Sequence, residues 1–170
     1  MEISLKELWT VIHGMVFGAV FLTAFAGGLA GLWSYRAGLI TFEGAKERLQ
    51  RMLLGLWAMA IMAWVTVISG TYIVYVWYRD PAKDSPRSIL RANPKTIEWH
   101  SFGMEWKEHV AWVAPILATA VVFIVSYYGP RLIYHDRIRR AAIALFVIAF
   151  AAAAVAGILG AFINKVAPVR

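Results

Sequence analysis

Cysteine is absent from the chain's 170 residues. That excludes disulfides, thiolate zinc sites, iron–sulfur ligation and covalently attached CxxCH haem, and says nothing of compartment. Charge is scarce too: Asp, Glu, Lys and Arg make up 16% of the residues, against 61% that are hydrophobic. A water-soluble domain of this size could not bury so much apolar side chain. The long apolar runs contain no Asp or Glu. That argues against a proton pump or a coupled transporter acting alone. The chain has no phosphate loop, dinucleotide fingerprint, HExxH or nucleophile-with-base pattern. No independent catalytic activity is expected from it.

Four apolar runs are what the chain does have, over residues 8–35, 52–77, 109–128 and 141–163. A helix crosses about 30 Å of hydrocarbon in roughly 20 residues, so each run is long enough to span a membrane. The expected fold is all-α, an integral membrane four-helix up-and-down bundle, with residues 1–170 forming one membrane domain. The first run follows Glu2, Lys6 and Glu7 rather than a basic region, and it is too long for a signal peptide, so it is expected to be retained. Residues 1–7 read as an amphipathic lead-in, and Thr41 to Gln50 as a surface helix. Residues 79–108 form the one sizeable extramembrane loop. There Asn93 before Pro94 has the pattern of an N-cap with proline in the first turn, which predicts a short interfacial helix over 94–102. Gly103 either breaks that helix or lets it continue, bent, into the third span. Pro115 predicts a bend near Ala111, because it removes a backbone donor one turn on.

The net charge of +7 sits in the loops. Arg36, Lys46, Arg48 and Arg51 lie in the first loop, and Arg131, Arg137, Arg139 and Arg140 in the third. Dispersed in this way it does not suggest nucleic acid. Short loops dense in Lys and Arg stay on the cytoplasmic side. Both termini and the loop 79–108 are then expected outside, across a bacterial inner membrane. Glycine pairs at Gly14/Gly18 and Gly27/Gly31, and the row Ala149, Ala153, Gly157 and Ala161, mark faces where helices in lipid approach closely.

Four histidines remain. His13 lies about two turns inside the first run, where an imidazole is costly unless it has a partner. His109 opens the third run, one turn after Glu105. In an up-and-down bundle the first and third helices point the same way, so both rings are expected at similar depth. Two imidazoles facing one another in a bundle can hold one haem iron from both sides. A hydrogen bond from His13 to a neighbouring helix is the plainer alternative. His100, nine residues before His109, would point to the opposite side of an unbroken helix, and is a candidate only as a replacement for His109 or as a ligand of a second haem. Arg87, Arg91, Lys95 and Lys107 are candidates to meet the haem propionates. A rival hard-metal reading uses Glu105, Glu108, His109 and His100. His135, in the basic third loop, reads more simply as a lipid-headgroup contact.

Four spans, histidines at matching ends of two of them, glycine-lined faces and tryptophan-rich interfaces resemble the small membrane b-type cytochromes. The resemblance covers the whole chain in layout and rests on no motif. It implies one haem b per chain held by His13 and His109, and electron transfer within a respiratory or photosynthetic complex. It also implies other subunits of that complex, quinone or a periplasmic cytochrome as partners. The better known diheme members stack two histidines along a helix; here each candidate helix offers one. The alternative from another class is a cofactor-free assembly subunit that packs through its small-residue faces.

Overall fold

The computed structural model describes residues 3–169; Met1 and Glu2 of the expected lead-in lie outside the described residues, as does Arg170. Among the described residues every regular element is helical. Ser4 starts α1 (Leu5–Val11) through a capping box: the Glu7 amide donates to the Ser4 hydroxyl at 3.2 Å, and the Ser4 amide to the Glu7 carboxylate at 2.9 Å. A wide π-turn, Ile12–Val16, leads into α2 (Phe17–Ser34). Next come α3 (Phe42–Ser69), a second π-turn, Gly70–Val74, and α4 (Tyr75–Tyr78). The separate helix α5 (Pro86–Ala92) follows. A third π-turn, Trp99–Met104, opens α6 (Glu105–Val110), then α7 (Val113–Tyr128), a 3₁₀ segment Gly129–Tyr134 and α8 (Asp136–Val166).

Four stretches are long and apolar enough to cross a membrane: Leu5–Ser34, Phe42–Tyr78, Trp99–Tyr134 and Asp136–Val166. Between 22% and 33% of each apolar window is buried, so most of its apolar surface faces outward. Leu54 is 72% exposed and Phe123 63%. Each stretch overruns the apolar run read from the sequence, because hydrogen bonding and caps carry a helix through charged turns where hydropathy has already ended. Thus the expected surface helix at 41–50 is the start of α3 itself, with the Gly44 amide donating to the Thr41 hydroxyl at 3.1 Å.

The loop holds a further helix, α5, ahead of the one expected from Pro94. Ser85 caps α5, with Pro86 in its first turn and the Ser88 amide donating to the Ser85 hydroxyl at 3.3 Å. Asn93 caps the expected helix as read: its backbone is extended, its carboxamide accepts from the Lys95 amide at 2.9 Å and its carbonyl from the Ile97 amide at 3.1 Å, and the chain runs through a turn at 94–96 into a helical run from Ile97. Leu90 of α5 is fully buried, in a cluster with Tyr78, Met104, Ile163 and Ala167. Trp99, Phe102 and Gly103 lie in a π-turn through which the helix continues into the third long stretch, the second of the two outcomes expected at Gly103. That stretch is interrupted at Ala111 and Trp112, one turn before Pro115, where proline leaves a carbonyl without its donor.

The described residues sort into two compact units: 3–19, Trp64–Trp112 and 152–169 in one, Val20–Ala63 and Val113–Ala151 in the other. In the second unit Phe146 and Leu56 lie directly on Gly28. A Cβ there would stand 2.8 Å from the Phe146 ring and 3.1 Å from Leu56. Phe25 stacks on Phe146 and Phe150. Tyr35, fully buried, donates its hydroxyl to the Ala45 carbonyl at 2.8 Å, and burial pushes its phenol up to about 12. Arg139 closes the end of α2 by donating to the carbonyls of Leu32 at 3.4 Å and Trp33 at 3.2 Å.

Candidate functional site

All three π-turns fall in the first unit, and each contains one glycine: Gly14, Gly70 and Gly103. Such turns are rare inside α-helices and recur at functional sites. Two of them carry histidines, His13 and His100. His109, on α6, belongs to the same unit. His135 belongs to the other, its ring tilted against Tyr128 with centroids 5.0 Å apart.

The His13 ring meets α3 and the π-turn after it. Its Nδ1 is 3.0 Å from the Ser69 hydroxyl, which itself donates to the Thr66 carbonyl at 3.1 Å. With the single Ser69 hydroxyl proton given to Thr66, its oxygen accepts from His13, an arrangement in which the ring carries its proton on Nδ1. Nε2 is left as the bare lone pair. Gly70 makes room for the ring: a Cβ there would stand 2.9 Å from the His13 Cε1. Lys107 of α6 lies within electrostatic range of His13, and its amine rests over Gly160 of α8, 2.6 Å from where a Cβ would be. His13 thus makes the hydrogen bond to a neighbouring helix that is the plainer expectation; that the second long stretch supplies its partner, and that the Lys107 amine lies over Gly160, is not expected from the sequence.

His109 has the same tautomer by a different route. Its Nδ1 lies 2.7 Å from the Glu105 carbonyl, which can only accept, so Nδ1 carries the proton and Nε2 is again bare. The ring is exposed. Residues two apart on an α-helix stand about 200° apart, so His109 projects from the side opposite Lys107. Among the described residues no contact joins His13 to His109.

His100 sits with a separate group. Its Nδ1 is 2.9 Å from the Tyr78 hydroxyl. Beside it Arg79 bonds Glu108 at 3.2 Å and Glu105 at 3.4 Å, and its guanidinium lies over the Tyr75 ring at 4.7 Å. Burial is the largest single influence and disfavours the Arg79 charge, but Glu108, Tyr75 and Glu105 together outweigh it and hold the guanidinium above its ordinary value. Arg87 and Arg91 lie in electrostatic range of His100, and the Arg87 Nε is buried without a hydrogen-bond partner. Arg91 and Lys95 are exposed. The hard-metal grouping of Glu105, Glu108, His109 and His100 does not form: among the described residues no three His, Asp or Glu gather to hold a metal ion.

Ser69, Gly70 and Tyr78 are the site residues that sequence reasoning passed over. Ser69 reads as a neutral hydroxyl returning its proton to the preceding turn, as it does, and Tyr78 as part of an exit belt. The one available signal was the Ser-Gly pair inside an otherwise apolar run. Compared with family models, with curated proteins and with solved structures, the chain matches none.

Proposed function

We propose that the chain is an integral membrane protein, its four apolar helices packed as an up-and-down bundle and the helical segment after Asn93 lying at the interface, and that it serves as a b-type cytochrome subunit. Both termini and residues 79–108 face outward in this reading. The observation that carries it is that the Nδ1 atoms of His13 and His109 each lie at hydrogen-bond distance from an oxygen, 3.0 Å from Ser69 and 2.7 Å from the Glu105 carbonyl. A haem iron takes a neutral imidazole nitrogen, and ligating histidines donate their other ring N–H to a fixed acceptor. Ser69 and the Glu105 carbonyl are such acceptors, and both rings present a bare Nε2. The residues fit haem in donor chemistry, with Lys107 in electrostatic range of His13 for a propionate. The haem would supply one-electron chemistry, and the chain would set its access and potential. Quinone, a periplasmic cytochrome and other subunits of a redox complex are the partners that go with this function.

A second reading, a cofactor-free assembly subunit, is favoured by a different observation. His109 faces away from the side that Lys107 occupies, and Gly14, Gly18, Gly27 and Gly157 have nothing within 4 Å of a built Cβ. Those faces are open to another chain's helices.

A reduced-minus-oxidised visible spectrum of the protein, purified with its partners and with haem supplied, separates the two. A sharp b-type α-band with about one haem per chain is expected, lost in both His13→Ala and His109→Ala. A flat spectrum from folded protein sinks the cytochrome reading in favour of the assembly subunit. A band that survives either alanine variant removes that histidine as a ligand.

A further inference from the structure

Between the end of α2 and the first turns of α8 lies a cavity of 460 Å³, lined by Trp33, Arg36, Asp136, Arg139, Arg140 and Ile143, all within one compact unit. Three arginines face one aspartate, so the lining carries two net positive charges (3 − 1). The first turn of α8 adds to this, since a long helix presents partial positive charge and free amides at its N-terminus.

The cations differ in mobility. Arg139 is pinned, its side chain 6% exposed and bonded to the Leu32 and Trp33 carbonyls and to Asp136. Its Nε is buried and has no hydrogen-bond partner. Arg140 pairs with the other Asp136 oxygen at 2.8 Å but is 70% exposed, and Arg36 is exposed as well. The cavity therefore has a fixed guanidinium within and two movable ones at its mouth. Its other wall is apolar. Trp33, largely exposed, and Ile143 offer surface to a hydrocarbon chain. A ligand that satisfies both walls is anionic at one end and apolar at the other. Arginine forks match phosphate oxygens, and basic pockets beside transmembrane helices hold lipid headgroups.

We infer that this cavity binds the phosphodiester headgroup of an anionic phospholipid, with the acyl chains running along Trp33 and Ile143. The inference rests on the chain spanning a membrane and is independent of haem, so the visible spectrum and the lipid assay fail separately. Free inorganic phosphate shares the headgroup's chemistry but has no use for the apolar wall.

The test is native mass spectrometry of the full chain from micelles holding equal phosphatidylglycerol and phosphatidylcholine. Phosphatidylglycerol is expected to be retained in preference. Arg36→Gln with Arg140→Gln, which spares the Arg139 bonds to α2, is expected to weaken retention about tenfold. Arg48→Gln with Arg51→Gln removes the same charge away from the cavity and is expected to leave retention unchanged. Asp136→Asn, which removes the one opposing charge, is expected to strengthen it, and this holds the inference open to refutation if the arginine double variant fails to fold. Equal retention of the two lipids, an equal loss in the Arg48/Arg51 control, no gain in Asp136→Asn, or displacement by excess inorganic phosphate would each overturn the inference.

Discussion

At the scale of single residues, one hydroxyl orders the histidine at the centre of the candidate site. Ser69 gives its proton to Thr66 and accepts from His13, so one atom fixes both the ring's position and its tautomer. Ser69→Ala leaves the Nδ1–H without that acceptor, and the expected cost is about 1 kcal/mol, since side-chain hydrogen bonds between membrane helices are worth less than their gross energy. Unfolding in detergent reads this directly, and Ser69→Thr should recover most of the loss. Equal stability of all three proteins would show that the bond does not hold His13. Lys107 teaches a related lesson. Its sequence context is charged and marks it as a surface cation, but Gly160 offers no side chain, and the lysine stem runs inward over that gap.

At the scale of elements, the π-turns decide which residues share a face. A face count at 100° per residue from His13 puts Ala24 and Gly31 on its meridian, but that count crosses Ile12–Val16, where a wider turn shifts the phase. The same slip within Trp99–Met104 undoes the argument that His100 and His109 point to opposite sides. Glycine pairs were legible as packing faces, yet the close approach falls on Gly28, a neighbour of the pair Gly27/Gly31, and on Gly31 itself. Gly28→Ala is expected to destabilise by about 1–3 kcal/mol, because the added methyl meets the Phe146 ring and Leu56. Gly27→Ala meets nothing and should be neutral or slightly stabilising, as alanine is the better helix former. Thermal unfolding of the pair checks both; equal shifts would contradict the packing at Gly28.

At the scale of the whole molecule, the absence of cysteine makes topology directly measurable. Lys95, Glu47 and Arg137 are all exposed and lie in the second loop, in the first turns of α3 and in the first turn of α8. Single cysteines at these positions should divide under a membrane-impermeant maleimide. Lys95→Cys is expected to label in intact cells, and Glu47→Cys and Arg137→Cys only after lysis. The reverse pattern would invert the proposed orientation, and labelling of all three from one side would break the up-and-down bundle. The charge count behind this expectation is divided, because the loop 79–108 also holds six Lys and Arg over its greater length.

Hydropathy and helix periodicity are local properties, and they sufficed for an all-helical chain with four stretches able to cross a membrane, a break ahead of Pro115, and a short list of histidines. They did not suffice where the outcome depends on what packs against what. The helix start at Asn93 was legible, but not that Leu90 of the preceding α5 is buried against Tyr78, Met104 and Ile163. Nothing local marks Ser69 as the partner of a ring 56 residues away, Gly70 as its seat, or Arg139 as the lock on the last carbonyls of α2. Each of these is a short-range contact between segments remote in the chain. Steric fit and hydrogen-bond geometry fall off within a few ångströms, so only the folded arrangement could select the partners.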